Sequence, residues 1–339
     1  MKIEIPVWPY AYGSPSGAGK IRTVPEDFIV HENLAFEPSG AGEHVFLQIV
    51  KTGENTEYVA RQIAKFANVR QRDIGYAGLK DRHAVATQWF SVWLPGKIDP
   101  DWTALETGNI KVLHTIRHAR KLKRGALSGN DFEIAIRDWQ GDRANAFVQL
   151  ELIKSGGVAN YYGEQRFGNQ GQNVNKALAM FRGEKVKREQ RSLYLSAARS
   201  YLFNMILSGR VAAGTWNQAL AGDTFMFDCS NSCFKSRMID AEILQRLESK
   251  TIHPTGVLWG KGEDDASADA LAYEQKVIDG HQELADSLVA SGMEKARRAL
   301  RVNADNLEWR FNSETTLLLR FSLPAGSYAT SLLREVVRV

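Results

Sequence analysis

The sequence predicts an α+β fold, and three observations point there. The run from Thr87 to Leu94 alternates, with Thr, Trp, Ser and Trp on one face and Gln, Phe, Val and Leu on the other. That is the period-two signature of a strand. The same alternation returns from Ile110 to Arg117. Other segments carry apolar residues at helical spacing: Val59, Ile63 and Phe66 at i, i+4 and i+7, then Ala198, Leu202, Met205 and Ile206 on one face.

A chain of 339 residues with 44% hydrophobic content can build one large domain or two ordinary ones. The formal net charge of +4 and an isoelectric point of about 8.9 suit a polyanionic partner without requiring one. Cys229 and Cys233 are the only cysteines. Their Cys-x-x-x-Cys spacing could be half of a zinc site, but no second Cys/His pair at ligand spacing accompanies it. They read as reduced thiols of a cytoplasmic protein, and no metal is expected. The opening Met-Lys-Ile-Glu-Ile-Pro lacks the apolar core of a signal peptide. No apolar run approaches the length of a membrane span, so no membrane contact is expected.

In chain order, Gly13 to Lys20 invites a phosphate-loop reading that fails twice. Ser14 stands where the first glycine belongs, and Ile21 follows Lys20 in place of Ser or Thr. The segment reads as a flexible approach to the next element. Pro25-Glu26-Asp27 reads as a turn, Phe28 to Glu32 as a short strand, and Gly42 to Val50 as the next. Asn55 can cap a helix reaching Phe66, with Asn68 as its stop. The strand from Ile110 ends in Arg117, His118, Arg120, Lys121, Lys123 and Arg124. This cluster is dense and of one sign, which favours a phosphate track over a merely solvated face. Leu127 to Ile136 reads as a strand and Arg143 to Ser155 as a helix ended by Gly156-Gly157.

Asn160 to Gly168 follows, with Asn169, Gln170 and Asn173. Its aromatic and amide density suits RNA, and Arg166 is a candidate phosphate contact. Ser196 to Leu207 is an amphipathic helix. Glu263-Asp264-Asp265 opens an acidic, alanine-rich stretch that reads as surface helix. No catalytic constellation lies between Gly168 and about Asn303. Strands Leu307 to Phe311 and Thr316 to Leu323 then lead to a last helix, which Ser327 can cap, with Leu332, Leu333, Val336 and Val337 inward.

Chemistry concentrates in Gly75-Tyr-Ala-Gly-Leu-Lys80-Asp81-Arg82-His83-Ala84. Two glycines let this loop turn sharply or take positive φ. Asp81 stands between Lys80 and Arg82, and nearby cations favour its ionised form. An ionised, partly shielded carboxylate can act as a nucleophile. A simple loop salt bridge is the commoner arrangement, and local chemistry leaves both open. His83 is either an RNA contact or a hydrogen-bonder within the loop.

The stretch GYAGLKDRHAVATQWFS resembles the signature of the tRNA pseudouridine synthase D (TruD) family, whose catalytic aspartate follows G-L-K. Asp81 is the matching position. Arg22 to Phe28, with its Pro-Glu-Asp-Phe, is similar to the family's P-E-D-F segment. There a basic residue six places before the Phe pairs with the catalytic aspartate, and the Phe lines the uridine site. Arg22 and Phe28 match; the family often has Lys at the first position, so Arg22 departs in kind but not in charge. Gly129-Asn130-Asp131-Phe132 resembles the G-N-x-F segment, whose Asn bonds the target and whose Phe stacks near the base. An amide offers both a donor and an acceptor, which suits a uracil edge. Core packing for Phe28 and Phe132, and a turn cap for Asn130, remain the alternatives. Asn160-Tyr-Tyr-Gly-Glu-Gln-Arg-Phe-Gly168, Pro254-Thr-Gly-Val-Leu-Trp-Gly260 and Gly326-Ser-Tyr-Ala-Thr330 with Arg334-Glu335 extend the resemblance. In the last, the aromatic beside the substrate is here Tyr328.

The resemblance covers nearly the whole chain. It implies a pseudouridine-synthase-like catalytic domain with a mostly antiparallel sheet, built from residues 1–155 and 303–339, and an inserted α/β domain over 156–302. It implies a tRNA pseudouridine(13) synthase that isomerises uridine without a cofactor. Asp81 would be catalytic and Arg22 its support. Phe28, Asn130, Phe132 and Tyr328 would meet the substrate. Lys80, Arg82, His83, Lys121, Lys123, Arg124 and Arg166 would meet RNA. The partner would be tRNA, with no protein partner and a monomeric state. A non-catalytic RNA-binding protein of the same fold is the competing reading. The presence of both Asp81 and Arg22 favours the enzyme.

Overall fold

The alternating runs join in a ten-stranded sheet in the computed structural model, which describes residues 2–236 and 238–339. Its strands are β1 (Gly17–Lys20), β2 (Phe28–Leu34), β3 (His44–Thr52), β4 (Ile74–Tyr76), β5 (Val85–Trp93), β6 (Ile110–His118) and β7 (Leu127–Gly141). Asp305–Ser313, Thr316–Pro324 and Val337–Arg338 complete it. Across the sheet the order is Asp305–Ser313, Thr316–Pro324, β7, β2, β5, β3, β6. Every pairing is antiparallel except β2 with β5 and β1 with Val337–Arg338, as a mostly antiparallel α+β sheet requires.

Two faces of this sheet bury apolar side chains. Val45, Leu47, Ile49, Phe90 and Val92 pack on Val59 and Ile63 of helix α1 (Thr56–Phe66). Phe46, Trp89 and Leu122 form a separate cluster. Asn55 has the extended backbone of a cap, but its side chain makes no capping bond. Asn68 takes φ +49, the left-handed conformation that stops a helix. Gly17 to Lys20, read from the sequence as flexible, is instead strand β1. Its glycines serve packing: a Cβ on Gly17 would sit 2.3 Å from the Trp139 ring, and one on Gly19 2.6 Å from Ile136. Sterics against a neighbouring strand leave no trace in a local pattern.

Two compact units emerge. One comprises Gly17–Arg143, Ala304–Gly326 and Val337–Val339 and contains the ten-stranded sheet. The other comprises the segment ending at Ser16, Ala144–Asn303 and Ser327–Val336. The break after Asn303 falls beside the expected division at 303, while the earlier one lies at Arg143 and not at 155. The N-terminal segment and the last helix, Ala329–Val336, belong to the second unit. Arg334 donates to the Trp8 and Pro9 carbonyls, and the buried Glu335 carboxylate accepts the Ala11 and Tyr12 amides. These partners lie more than three hundred residues apart in sequence, so no window of the chain could reveal them. The helix also starts two residues after Ser327, its first turn closing from Ser331 N–H to the Tyr328 carbonyl.

The second unit is built on helix Arg188–Ala212. The expected Ser196 to Leu207 is only its middle. From Tyr194 to Val211 this helix buries residues on nearly every face, which blurs the periodicity by which a helix is read. Its four-stranded sheet, ordered Cys233–Lys235, Thr224–Phe227, Ile252–Leu258, Ala296–Ala299, is antiparallel at every pairing; the expected α/β unit takes this form. The acidic residues precede helix Ala268–Asp279 and are not part of it: Asp264 pairs with Lys295 and Asp265 with Lys235. Among the described residues no helix is long and apolar enough to cross a membrane.

Candidate active site

The loop between β4 and β5 is fixed by backbone anchors before its carboxylate is considered. The Gln88 side chain donates to the Gly78 carbonyl at 2.7 Å and accepts the Thr56 hydroxyl at 2.9 Å. Thr56 in turn accepts the Lys80 amide at 3.0 Å. Gly125 N–H meets the Ala77 carbonyl at 2.9 Å. Of the two expected uses of the loop glycines, positive φ is not taken by Gly75 or Gly78. Gly75 is needed for close approach: a Cβ there would lie 2.4 Å from the Leu122 carbonyl and 2.5 Å from Ser91 Oγ.

On this scaffold Arg22 Nη2 donates to Asp81 Oδ2 at 2.7 Å. Arg22 follows β1 at φ +59, an uncommon conformation for a residue with a Cβ. Its guanidinium lies 4.2 Å above the Phe28 ring, within reach of a cation–π attraction. Phe28 meets Phe132 edge-on with centroids 6.0 Å apart, and Phe132 stacks on Phe321 at 5.3 Å. Phe28 and Phe321 are buried, while Phe132 is half-buried. Register explains the grouping. Val30 and Phe321 both face Phe132 across neighbouring strands, and Glu32 faces Asn130. Residues two apart on a strand share a face.

A fully buried cation supports the loop from β3. Lys51 Nζ donates to the Glu54 carbonyl at 2.7 Å and to the Asp81 carbonyl at 2.9 Å. Burial pushes its ammonium down to about 8; the Asp81 and Glu54 carboxylates oppose this and Lys80 adds to it. The unfolded chain keeps that proton to about pH 10.4. Between these values the unfolded state binds more protons, so this group makes stability rise with pH from about 8 to about 10.4. Urea midpoints of the wild type should climb through that window relative to those of Lys51→Met. Parallel curves would show that the ammonium is not desolvated.

The remaining expected contacts divide. Lys80, expected to face RNA, turns inward instead: its side chain is 9% exposed and its Nζ lies 3.0 Å from Glu32 Oε2. It also donates to Asn130 Oδ1. Arg82 and His83 are exposed, with Arg82 Nε donating to the Gly53 carbonyl. Arg117 braces the Gly42, Leu94 and Lys97 carbonyls and Asp99. His118 stacks on Phe36, and Lys121 donates to the Arg72 carbonyl. Lys123 and Arg124 are exposed. Arg166 and Tyr328 fall in the other unit. There Arg166 bonds the Tyr328 hydroxyl through Nε at 3.1 Å and Nη2 at 2.6 Å, and Ser196 Oγ at 2.9 Å. Among the described residues no group of three His, Cys, Asp or Glu side chains is placed to hold a metal ion. Both cysteines are exposed.

Glu32, Lys51 and Phe321 were missed by the sequence reading. Phe321 could have been found, because Leu317, Leu319, Phe321 and Leu323 alternate on the buried face of their strand. Lys51 is the penultimate residue of β3, just past Val50, and a lysine there reads as a surface residue.

Fold and site together define an α+β protein that presents a guanidinium-paired carboxylate on a pinned loop beside stacked phenylalanines. A family model described as tRNA pseudouridine synthase D (TruD) matches residues 4–184 and 170–336. A Methylococcus capsulatus protein named tRNA pseudouridine synthase D is 52% identical over 331 residues, covering 97% of this chain and 94% of its own. One of the same name from Hydrogenovibrio crunogenus is 43% identical, covering 99% and 98%. The crystal structure of a Methanosarcina mazei protein assigned to TruD superposes with a TM-score of 0.73 at 21% identity, covering 99% of this chain and 97% of its own, and shows the shared fold. The chain belongs to the tRNA pseudouridine synthase D family.

Proposed function

We propose that this chain isomerises uridine to pseudouridine in tRNA, at position 13, with Asp81 as the nucleophile and no cofactor. The observation that carries the proposal is the Arg22–Asp81 pair at 2.7 Å beside the Phe28, Phe132 and Phe321 rings. The guanidinium aims the carboxylate. Phe132, the half-buried ring of the three, offers an apolar surface to a base taken out of its stack, with Phe28 and Phe321 packed behind it. Asp81 attacks the target nucleotide at C1′ or C6, or assists glycal formation. The N1–C1′ bond breaks, the uracil turns, and C5 bonds to C1′; the bond or proton held by Asp81 is given back, freeing the carboxylate, the C5 proton leaves, and N1 takes up a proton. Phe132, backed by Phe28, contacts the base, and Asn130 bonds its edge. The unit carrying Asp81 is the catalytic domain in this proposal and residues 156–302 are the inserted one; the Arg166–Tyr328 pair, in the second unit, is suited to stacking on RNA.

Tritium release from tRNA labelled at uridine C5 tests this directly, because forming the C5–C1′ bond frees that label. Binding without release would leave an RNA-binding protein of the same fold. Lys123 and Arg124 are adjacent in the basic cluster and, like Arg120, exposed. Reversing both to Glu should weaken tRNA binding and flatten its salt dependence, since each phosphate contact contributes about 0.9 to the slope of log K against log salt. An unchanged slope assigns both residues to solvent.

A further inference from the structure

Glu32 and Asn130 stand directly opposite each other across the β2–β7 pairing, and Lys80 reaches between them. Its Nζ is 3.0 Å from Glu32 Oε2 and donates to Asn130 Oδ1. The orientation of the amide follows from the chemistry of its partner. An ammonium has three donors and no acceptor, so Asn130 must turn its oxygen toward Lys80. Its NH2 is then the end offered to a ligand.

The ammonium cannot readily move off. The Glu32 side chain is wholly buried, and its other oxygen accepts the Trp89 amide at 3.2 Å. Burial pushes the Glu32 carboxyl up, while Lys80 is the foremost influence holding it down. Withdrawing Lys80 would leave a buried carboxylate without its cation, which is strongly unfavourable. The lysine beside Asp81 in sequence is therefore tied to the sheet and not to solvent.

We infer that Glu32 and Lys80 are positioning residues that fix Asn130 as a hydrogen-bond donor, so that the site reads a carbonyl oxygen of uracil and not its N3–H. The inference rests on the proposed function, in which Asn130 meets the target base. An amide free to flip could serve either edge. Held by Lys80, it serves only an acceptor. Selection then comes from a pair that never touches the substrate.

The test uses tRNA carrying [5-³H]uridine, 2-thiouridine or 4-thiouridine at the target position, since a thiocarbonyl is a poorer acceptor. For the wild type, kcat/KM should fall about tenfold with one of the two thio substrates. In Glu32→Gln/Lys80→Met, which keeps the pair neutral, that ratio should return to near one while the dissociation constant for tRNA stays within about threefold. Asn130→Asp is nearly isosteric and gives Lys80 an even better partner, but it has no donor. It should lose at least about a hundredfold in kcat and show no thio effect, a result that does not depend on the double variant folding. Equal rates for all three RNAs in the wild type would overturn the inference. So would full thio discrimination in the double variant, or full activity in Asn130→Asp. No release from any substrate by the wild type would instead overturn the underlying function, and separates the two failures.

Discussion

Asp81→Asn is expected to abolish pseudouridine formation, lowering the rate by at least about 10⁴-fold, the scale seen when a central member of a catalytic group is removed. The amide keeps the size of the carboxylate and can still accept from Arg22, whose Nη2 now lies 2.7 Å from Asp81 Oδ2. It cannot attack as an anion. The backbone is held independently of that side chain, by Lys51 at the Asp81 carbonyl and Thr56 at the Lys80 amide, so the loop should persist. The tRNA dissociation constant should change by no more than about tenfold, or ~1.4 kcal/mol. Asp73 is the control. Its carboxylate accepts the Arg70 amide at 3.2 Å in the turn before β4, and Asp73→Asn should keep turnover. Single-turnover tritium release with a parallel binding titration measures both quantities. Substantial conversion by Asp81→Asn with binding intact would remove Asp81 as the nucleophile. Loss of binding or of folding would make it a structural salt bridge.

Much of this site could be read along the chain because its parts are carried by short, unusual segments. Arg22, Phe28, Asp81, Asn130 and Phe132 lie in stretches whose residue types rarely occur together, and the strands that hold them alternate plainly. What escaped has a common physical character. Lys51 and Glu32 are buried charges whose role depends on partners thirty or more residues away, on other elements. A charge in a sequence reads as surface until its partner is known. Lys80 was misread for that reason: between Asp81 and the exposed Leu79 nothing local indicates that it turns inward to Glu32. The placing of the N-terminal segment and the last helix in the second unit escaped likewise, because the Glu335 contacts with Ala11 and Tyr12 join the chain's ends.

Arg22→Ala is expected to lower kcat by about a hundredfold, in the range found when a reacting group loses its aim, while tRNA affinity changes little. The guanidinium is both the partner that directs Asp81 and the cap over the Phe28 ring, so its loss frees the carboxylate to rotate and uncovers an aromatic face. A fall in activity could also come from a weakened fold, and the backbone separates the two. Arg22 sits at φ +59, where a Cβ costs about 1 kcal/mol that glycine does not bear. Arg22→Gly should therefore be more stable than Arg22→Ala by about 1 kcal/mol and yet equally inactive. Arg22→Lys keeps a cation, though without the planar fork, and should recover to within about tenfold of the wild type. Urea midpoints and single-turnover rates of the three variants decide the matter. If the rates follow the stability order, with Gly above Ala and Lys no better than either, Arg22 shapes the turn after β1 and does not support the carboxylate. If they follow charge, the cation is what the chemistry requires at this position.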